Sequence, residues 1–320
     1  MSPSVLIVSP YAASANNGNW RTAARWARLL HPSYRVIVRT PADSLRDADA
    51  LVALHARRSH AVIRAWRQGP EAGPCVLVLT GTDLYRDIPE KNTAALESLQ
   101  LADRLIVLQP LAIRALPAAH RHKAAVVYQS AEPLPPFRKS SRALRALFVG
   151  HIRPEKDPVT FVRAAARLDG VPEIDFALAG GVRDPKLART LDRLRTRAPR
   201  LTMLGALSHA EARQRIRRSH LLVVPSSMEG GANVIVEAVM SGTPVLASDC
   251  DGNVGMLGED YPGYFPVGDA KALARLVLRC RDEPAYLREL NRMCAARVRC
   301  FRPEAERRAL RSILESSFER

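Results

Sequence analysis

Short, almost wholly apolar runs alternate with helix-spaced segments along the whole chain. That alternation constrains the fold more than any other feature. The runs at 5–9, 34–40, 50–55, 75–81, 104–109 and 124–130 read as strands. Between them, Trp20, Ala23, Ala27 and Leu30 share one side of a helix across 19–30, and further helices are expected through Trp66 and over 92–101. A strand apolar on both sides has to be covered on both faces, and that implies parallel βαβ winding.

Residues 131–143, AEPLPPFRKSSRA, interrupt the series with three prolines and two serines, and read as a linker. A second series follows, with strands at 145–150, 174–180, 201–205, 220–226, 243–248 and 263–267. Helices are expected at 158–168, 185–197, 209–219, 232–241, 269–281 and from 284, with a kink at Pro303. The expected organisation is a Rossmann-like domain over 1–138, a second over 139–303, and a last helix at about 304–320 returning to the first. Two such sheets would face each other across a cleft, with ligands outside the carboxyl ends of their strands.

Composition adds limits. The 320 residues, 47% hydrophobic, suffice for two cores. No run approaches the roughly 20 apolar residues of a membrane span, and the start is too short and uncharged for a secretory signal, so a cytoplasmic protein is expected. Five cysteines at irregular spacing fit neither a disulfide framework nor a zinc site. The net charge of +16 is carried mostly by scattered arginine, without a basic arm or aromatic RNA-binding motif. No nucleic-acid partner is expected, and the charge only weakly favours anionic ligands. No G-x-G-x-x-G follows the first strand and no Walker A pair is present, which excludes the usual dehydrogenase and P-loop patterns.

The most informative segment is PSSMEGGANVIVEAVMSGTPVLAS at 225–248. Glu229, Gly230 and Gly231 turn a strand onto a helix, and glycines let backbone N–H groups approach an anion. Glu237 lies a little over two helical turns beyond Glu229 and can accept both hydroxyls of a ribose. The competing reading is a surface helix with ordinary glutamates; placement between a strand and a helix capped at Gly242 favours the first.

This segment resembles the donor-binding signature of family 4 glycosyltransferases of the GT-B fold. FVGHIRPEKDPVTFVRAAARL at 148–168, ALAGG, the Leu204–Gly205 pair, VVPS and the DGN loop at 251–253 follow in the family's order. The resemblance implies that Lys156 grips the donor diphosphate, Glu229 the sugar and Glu237 the ribose. The backbone of Gly230, Gly231 and Ala232 would hold sugar or phosphate oxygens, and Leu207 would face the base. Gly18, His151 and Asn233 join this donor set, and Asn253 an acceptor set. His151 stands where the family carries arginine, with Arg153 available to supply the charge, and Gly231 stands in place of an aromatic residue.

A closer resemblance is to the selenosugar synthases of selenoneine biosynthesis (SenB-like proteins). It rests on ANNGNWRTAARWA at 15–27, LHARRS at 54–59, LTGTDLYRDI at 79–88, MEGGAN at 228–233 and DGNVGMLGEDYPGYFP at 251–266. It implies transfer from a UDP-sugar, such as UDP-N-acetylglucosamine or UDP-glucose, to selenophosphate. The alternative is a family 4 hexosyltransferase with a carbohydrate or lipid acceptor.

The first half offers Asn17, Arg21, Arg57, Arg58, Thr82, Asp83 and Arg86 for a compact anion, against the plain reading that arginine is abundant here. His55 is read as a base or orienter at a strand end, while Asp83 either orients a ligand or is a turn residue. Lys156, Arg153, Glu229 and His55 form the expected catalytic set. No cofactor or metal is expected: D-x-D matches at 47–49 and 249–251 arise readily by chance.

Overall fold

The computed structural model describes residues 3–12, 18–43, 48–70 and 72–319. Asn16, Asn17 and Asp47 therefore lie outside the described residues. The chain divides into two compact units, Met1–Ser130 with Pro303–Arg320, and Ala131–Arg302.

The first unit runs β1 (Ser4–Val8), α1 (Gly18–Leu30), β2 (Arg35–Arg39), β3 (Ala50–Leu54), α2 (His60–Gln68) and β4 (Cys75–Val78). It continues with α3 (Thr93–Leu101), β5 (Arg104–Val107), α4 (Leu111–Ala115) and β6 (Ala124–Val126). All pairs are parallel, in the order β2-β1-β3-β4-β5-β6. Alternate residues of each strand enter opposite cores. Leu6, Val8, Leu51, Ala53 and Leu77 pack with Val62, Ile63, Ala95 and Leu99 of α2 and α3. Val5, Ile7, Val52, Leu54 and Val76 pack on the other face with Ala23, Trp26 and Leu30 of α1. Burial on both faces explains why the strands read as unbroken apolar runs, each fully buried large side chain contributing about 1.5–3 kcal/mol.

The second unit runs β7 (Leu144–Val149), α5 (Pro158–Arg167), β8 (Ile174–Ala179), α6 (Pro185–Arg195), β9 (Thr202–Gly205) and α7 (His209–Arg218). Then come β10 (Leu221–Val224), α8 (Asn233–Val239), β11 (Val245–Ser248), α9 (Asp251–Leu257), β12 (Tyr264–Phe265), α10 (Ala270–Asp282) and α11 (Pro284–Arg297). Its order is β12-β11-β10-β7-β8-β9, again parallel. Strand order reverses between β1 and β3 in one unit and between β7 and β10 in the other. Helices leave to opposite faces there, opening a crevice at the carboxyl ends of the strands.

Three features depart from the sequence reading. Pro303 does not kink a continuous helix: α11 ends at Arg297 and Pro303 opens a separate helix, α12 (Pro303–Phe318). Proline suits a first helical turn, where its missing N–H has no partner to lose. The α12 residues Leu310, Ile313 and Leu314 complete the core over α1. Second, the DGN segment is the start of α9 rather than a loop. Third, the expected linker belongs to the second unit from Ala131 onward, not from 139. Ala131 N–H donates to Phe301 O (3.2 Å) and Leu134 N–H to Met240 O (3.0 Å). Arg217 donates to Pro135 O (2.7 Å) and His220 Nε2 bonds Ser140 O (2.9 Å). A proline-rich stretch thus finds side-chain donors for carbonyls that no strand partner satisfies.

Candidate functional site

In the second unit the loops after β7 and β10 flank the reversal point, and the donor residues expected from sequence lie on them. The β7 loop is held close to its neighbour by Gly180, whose added Cβ would sit 1.8 Å from Gly150 O. It then makes a short 3₁₀ turn, Pro154–Lys156. Asp157, left-handed at φ 41°, caps α5 by accepting from Thr160 N–H at 3.1 Å. This fixes where Lys156 leaves the backbone.

Lys156 Nζ donates to Glu229 Oε1 at 2.5 Å, and Ser226 Oγ donates to the same oxygen at 2.6 Å. Glu229 is 7% exposed. Its Oε2 accepts from nothing among the described residues. One oxygen therefore fixes the carboxylate, and the other is left for a ligand hydroxyl. Gly252, in α9, makes this packing possible: a Cβ there would lie 1.9 Å from Glu229 O. Cys250 adjoins the cluster. Burial, with the Glu229 charge adding, pushes its thiol up to about 11, so it is neutral at pH 7.

Glu237, 6% exposed on α8, repeats the pattern: His209 Nε2 bonds its Oε1 at 2.8 Å, and Oε2 accepts from nothing among the described residues. Gly230 and Ala232 are buried and Gly231 and Asn233 half-buried in the turn before α8. His151 is half-buried after β7, and Leu207 is half-buried just before Ser208, the N-cap of α7. Arg153 is 43% exposed, with its Nε 4.0 Å from Glu155 Oε2.

Asn253 corrects the sequence reading. It is fully buried, and its Nδ2 donates to Ser248 Oγ (2.9 Å) and Ser248 O (3.1 Å). Through Nδ2 it braces β11 against α9, while its buried Oδ1 has no hydrogen-bond partner among the described residues.

In the first unit, the β3 and β4 loops meet. His55 directly follows β3 with φ 75°, a strained conformation for a non-glycine residue, and it is 2% exposed. Its Nε2 bonds Thr82 Oγ1 at 3.0 Å, and its Nδ1 lies 3.8 Å from Asp83 Oδ2. Burial, opposed by the Asp83 carboxylate, holds the imidazole below the usual histidine range. Of the two roles expected for His55, base or orienter, this placement sets its Nε2 against Thr82. Asp83 is fully buried, and its oxygens accept from Thr80 N–H (2.8 Å), Thr80 Oγ1 (2.8 Å), Leu84 N–H (3.1 Å) and Ala56 N–H (2.8 Å). That buried carboxylate ties two loops together, the turn-residue half of the expectation for it.

The arginines remain beside this frame. Arg57 Nε lies 2.9 Å from Asp87 Oδ2 and Arg86 Nε 3.5 Å from Oδ1, so one buried carboxylate holds two half-exposed guanidinium groups. Arg58 stacks on Tyr11, 4.9 Å from the ring centroid. Arg21 is half-buried on α1, and Gly18 opens that helix, exposed. Sequence reasoning missed Asp87 and His209. The Ser208–Glu211 capping box marks where α7 starts, but nothing in the sequence reveals the contact of His209 with Glu237.

Among the described residues no group of three or more His, Cys, Asp or Glu is placed to hold a metal, and no helix is long and apolar enough to cross a membrane. Of the D-x-D carboxylates, Asp49 Oδ2 accepts from Ser4 N–H (2.7 Å), and Asp249 Oδ1 accepts from Val267 N–H (3.0 Å).

Two doubly wound parallel sheets, each with polar residues at its reversal point, define the GT-B class of fold. Solved structures agree. Anabaena HepE, determined with UDP and glucose, matches with a TM-score of 0.80 at 16% identity, over 98% of this chain and 100% of that one. Sucrose-phosphate synthase of Thermosynechococcus elongatus matches with a TM-score of 0.79 at 20% identity, over 99% of each. The family model for glycosyl transferases group 1 matches residues 135–299, just over half of the chain, and the chain belongs to that family. Among curated relatives, the D-inositol 3-phosphate glycosyltransferase of Streptomyces avermitilis is 32% identical over 171 residues, 50% of this chain and 37% of that protein. That of Mycolicibacterium smegmatis is 34% identical over 188 residues, 52% of this chain and 43% of that protein. The chain thus spans about two fifths of the length of the curated relatives it matches.

Proposed function

We propose that this chain transfers the sugar of a UDP-sugar, UDP-N-acetylglucosamine or UDP-glucose, onto selenophosphate without a metal, giving a 1-seleno-sugar. The observation that carries the donor half is the held carboxylate of Glu229, one oxygen bonded by Lys156 and Ser226 and the other without a donor among the described residues. UDP and glucose in HepE, which shares the fold, support the same donor class. The acceptor half rests on the resemblance of five segments to selenosugar synthases and on Arg57, Arg58, Arg86 and Thr82 at the strand ends of the first unit.

In this reading Glu229 Oε2 and Glu237 Oε2 take hydroxyls of the sugar and of the ribose. The selenium of selenophosphate attacks C1, and the C1–O bond breaks with its electron pair leaving on UDP. Negative charge grows on the diphosphate, where Lys156 and Arg153 meet it; one such contact is worth about 3–4 kcal/mol in the transition state. Selenophosphate is already anionic and needs no base, so His55 and Thr82 position it. Water then cleaves the Se–P bond and releases phosphate.

A second reading has one observation in its favour. The curated relatives are named for a phosphorylated polyol acceptor, and the same arginines would suit its phosphate, with transfer to a hydroxyl. Mass spectrometry of reactions containing a UDP-sugar with selenophosphate, or with inositol phosphate, separates the two. A selenosugar product with the first acceptor alone supports the proposal, and transfer only to a hydroxyl defeats it. Loss of activity in chelator, restored by manganese, would defeat the metal-free claim.

A further inference from the structure

We propose that His209 is a positioning residue for donor recognition, acting on the ribose through Glu237. The inference rests on the reading of Glu237 as the ribose acceptor and names a residue that reading does not contain.

His209 is the first residue of α7, and its backbone is fixed by the capping box just before it. Ser208 Oγ accepts from Glu211 N–H (3.3 Å), and Glu211 Oε2 accepts from Ser208 N–H (2.9 Å). Near its far end, α7 is tied to the segment that follows α8, where Thr243 Oγ1 donates to Ile216 O at 2.9 Å. Between these ties, His209 Nε2 lies 2.8 Å from Glu237 Oε1. Arg213, one turn further along α7, acts on Glu237 only through its charge, its Nη2 donating to Glu132 O. His209 is therefore the single described side chain hydrogen-bonded to the Glu237 carboxylate.

The two partners differ in burial in a telling way. Glu237 is 8% exposed at its side chain and His209 is 49% exposed. A half-exposed histidine adds little to a core, yet it determines the rotation of a nearly buried carboxylate. With Oε1 taken by the imidazole, the carboxylate plane is set and Oε2 is the oxygen offered to a ligand. Without His209, Glu237 can turn, and the aim of Oε2 is lost before any hydroxyl arrives. Preorganisation of this kind acts on affinity by removing an ordering cost from binding.

The arrangement makes a selective prediction. A ligand that lacks the ribose hydroxyls has nothing to gain from a well-aimed Glu237. Titration calorimetry of UDP and of 2′,3′-dideoxy-UDP against the wild type, His209→Ala and His209→Gln reads this directly. The Ala variant should bind UDP about tenfold more weakly, the size expected for a lost hydrogen bond to a charged group, and should bind the dideoxy nucleotide as the wild type does. The Gln variant, whose amide N–H can still reach the carboxylate, should recover most of the UDP affinity. Equal weakening of both nucleotides, or no weakening of UDP, overturns the inference while leaving the donor reading intact. Failure of the wild type to bind UDP removes the donor reading and this inference with it.

Discussion

Glu306 in the first unit and Glu229 in the second are both nearly buried glutamates, 1% and 7% exposed, yet they do different work. Glu306 is saturated. Arg25 Nε (2.9 Å) and Ser130 N–H (2.9 Å), with Ser130 Oγ, donate to Oε2; Arg25 Nη2 (3.1 Å) and Trp26 Nε1 (2.6 Å) donate to Oε1. It clamps α12 onto α1 and onto the end of the first unit's chain. Among the described residues Glu229 is anchored through one oxygen only, and Glu237 shares that state. If Glu229 and Glu237 bind the donor as proposed, burial alone does not separate structural from ligand-binding carboxylates here; the number of oxygens the protein has already satisfied does. Asp83 falls with Glu306 by the same test.

Several substitutions can break this distinction, and the largest effect is expected at the saturated residue. Glu306→Ala leaves Arg25, Trp26 and Ser130 without their acceptor, and breaking such a buried pair costs about 3–5 kcal/mol. Denaturant unfolding should show that loss, and a change below about 1 kcal/mol, the ceiling for an ordinary surface pair, would mean the clamp is ornamental. Lys156→Ala should lower turnover about 10²–10³-fold, the scale for one lost electrostatic contact in the transition state, when assayed where the variant is still folded, since it also leaves the nearly buried Glu229 carboxylate without its cation. Near-normal turnover would remove Lys156 from the chemistry. Gly252→Ala forces a methyl group against Glu229 O. It should cost about 1–3 kcal/mol as overpacking and weaken UDP binding as well. A stability loss with intact UDP affinity would separate α9 from the site.

The smallest effect concerns pH. Burial keeps His55 neutral in the folded protein to lower pH than in the unfolded chain. Below the ordinary histidine value of about 6.5, the unfolded state therefore binds more protons, and stability falls as pH falls. Unfolding measured from pH 8 to 5 should show this decline, with a shallower slope in His55→Asn; an identical slope would contradict the assigned environment.

Much of the fold was legible because two-sided burial writes itself into sequence as apolar runs, and strands such as Ser4–Val8 and Ala50–Leu54 fall within a residue or two of those runs. The seven-residue helix α9 was hidden by its Asp–Gly–Asn start, which reads as a turn, although Gly252 is there to let Glu229 approach. The donor segment was legible because a strand, a glycine turn and a helix are local. The direction of a side chain at a strand end is not local: the positive φ of His55 and the inward set of Asp83 and Asn253 follow from tertiary neighbours. His209 was invisible for the same reason, since its partner is on another helix.

The central claim is that ligand binds where carboxylates are half-satisfied and not where they are saturated. Hydrogen–deuterium exchange of the full chain with and without UDP tests this most directly. Bound UDP should slow exchange at residues 150–156 and 226–239, with residues 303–319 around Glu306 unchanged. Unaltered exchange in both loop segments at saturating UDP would contradict it.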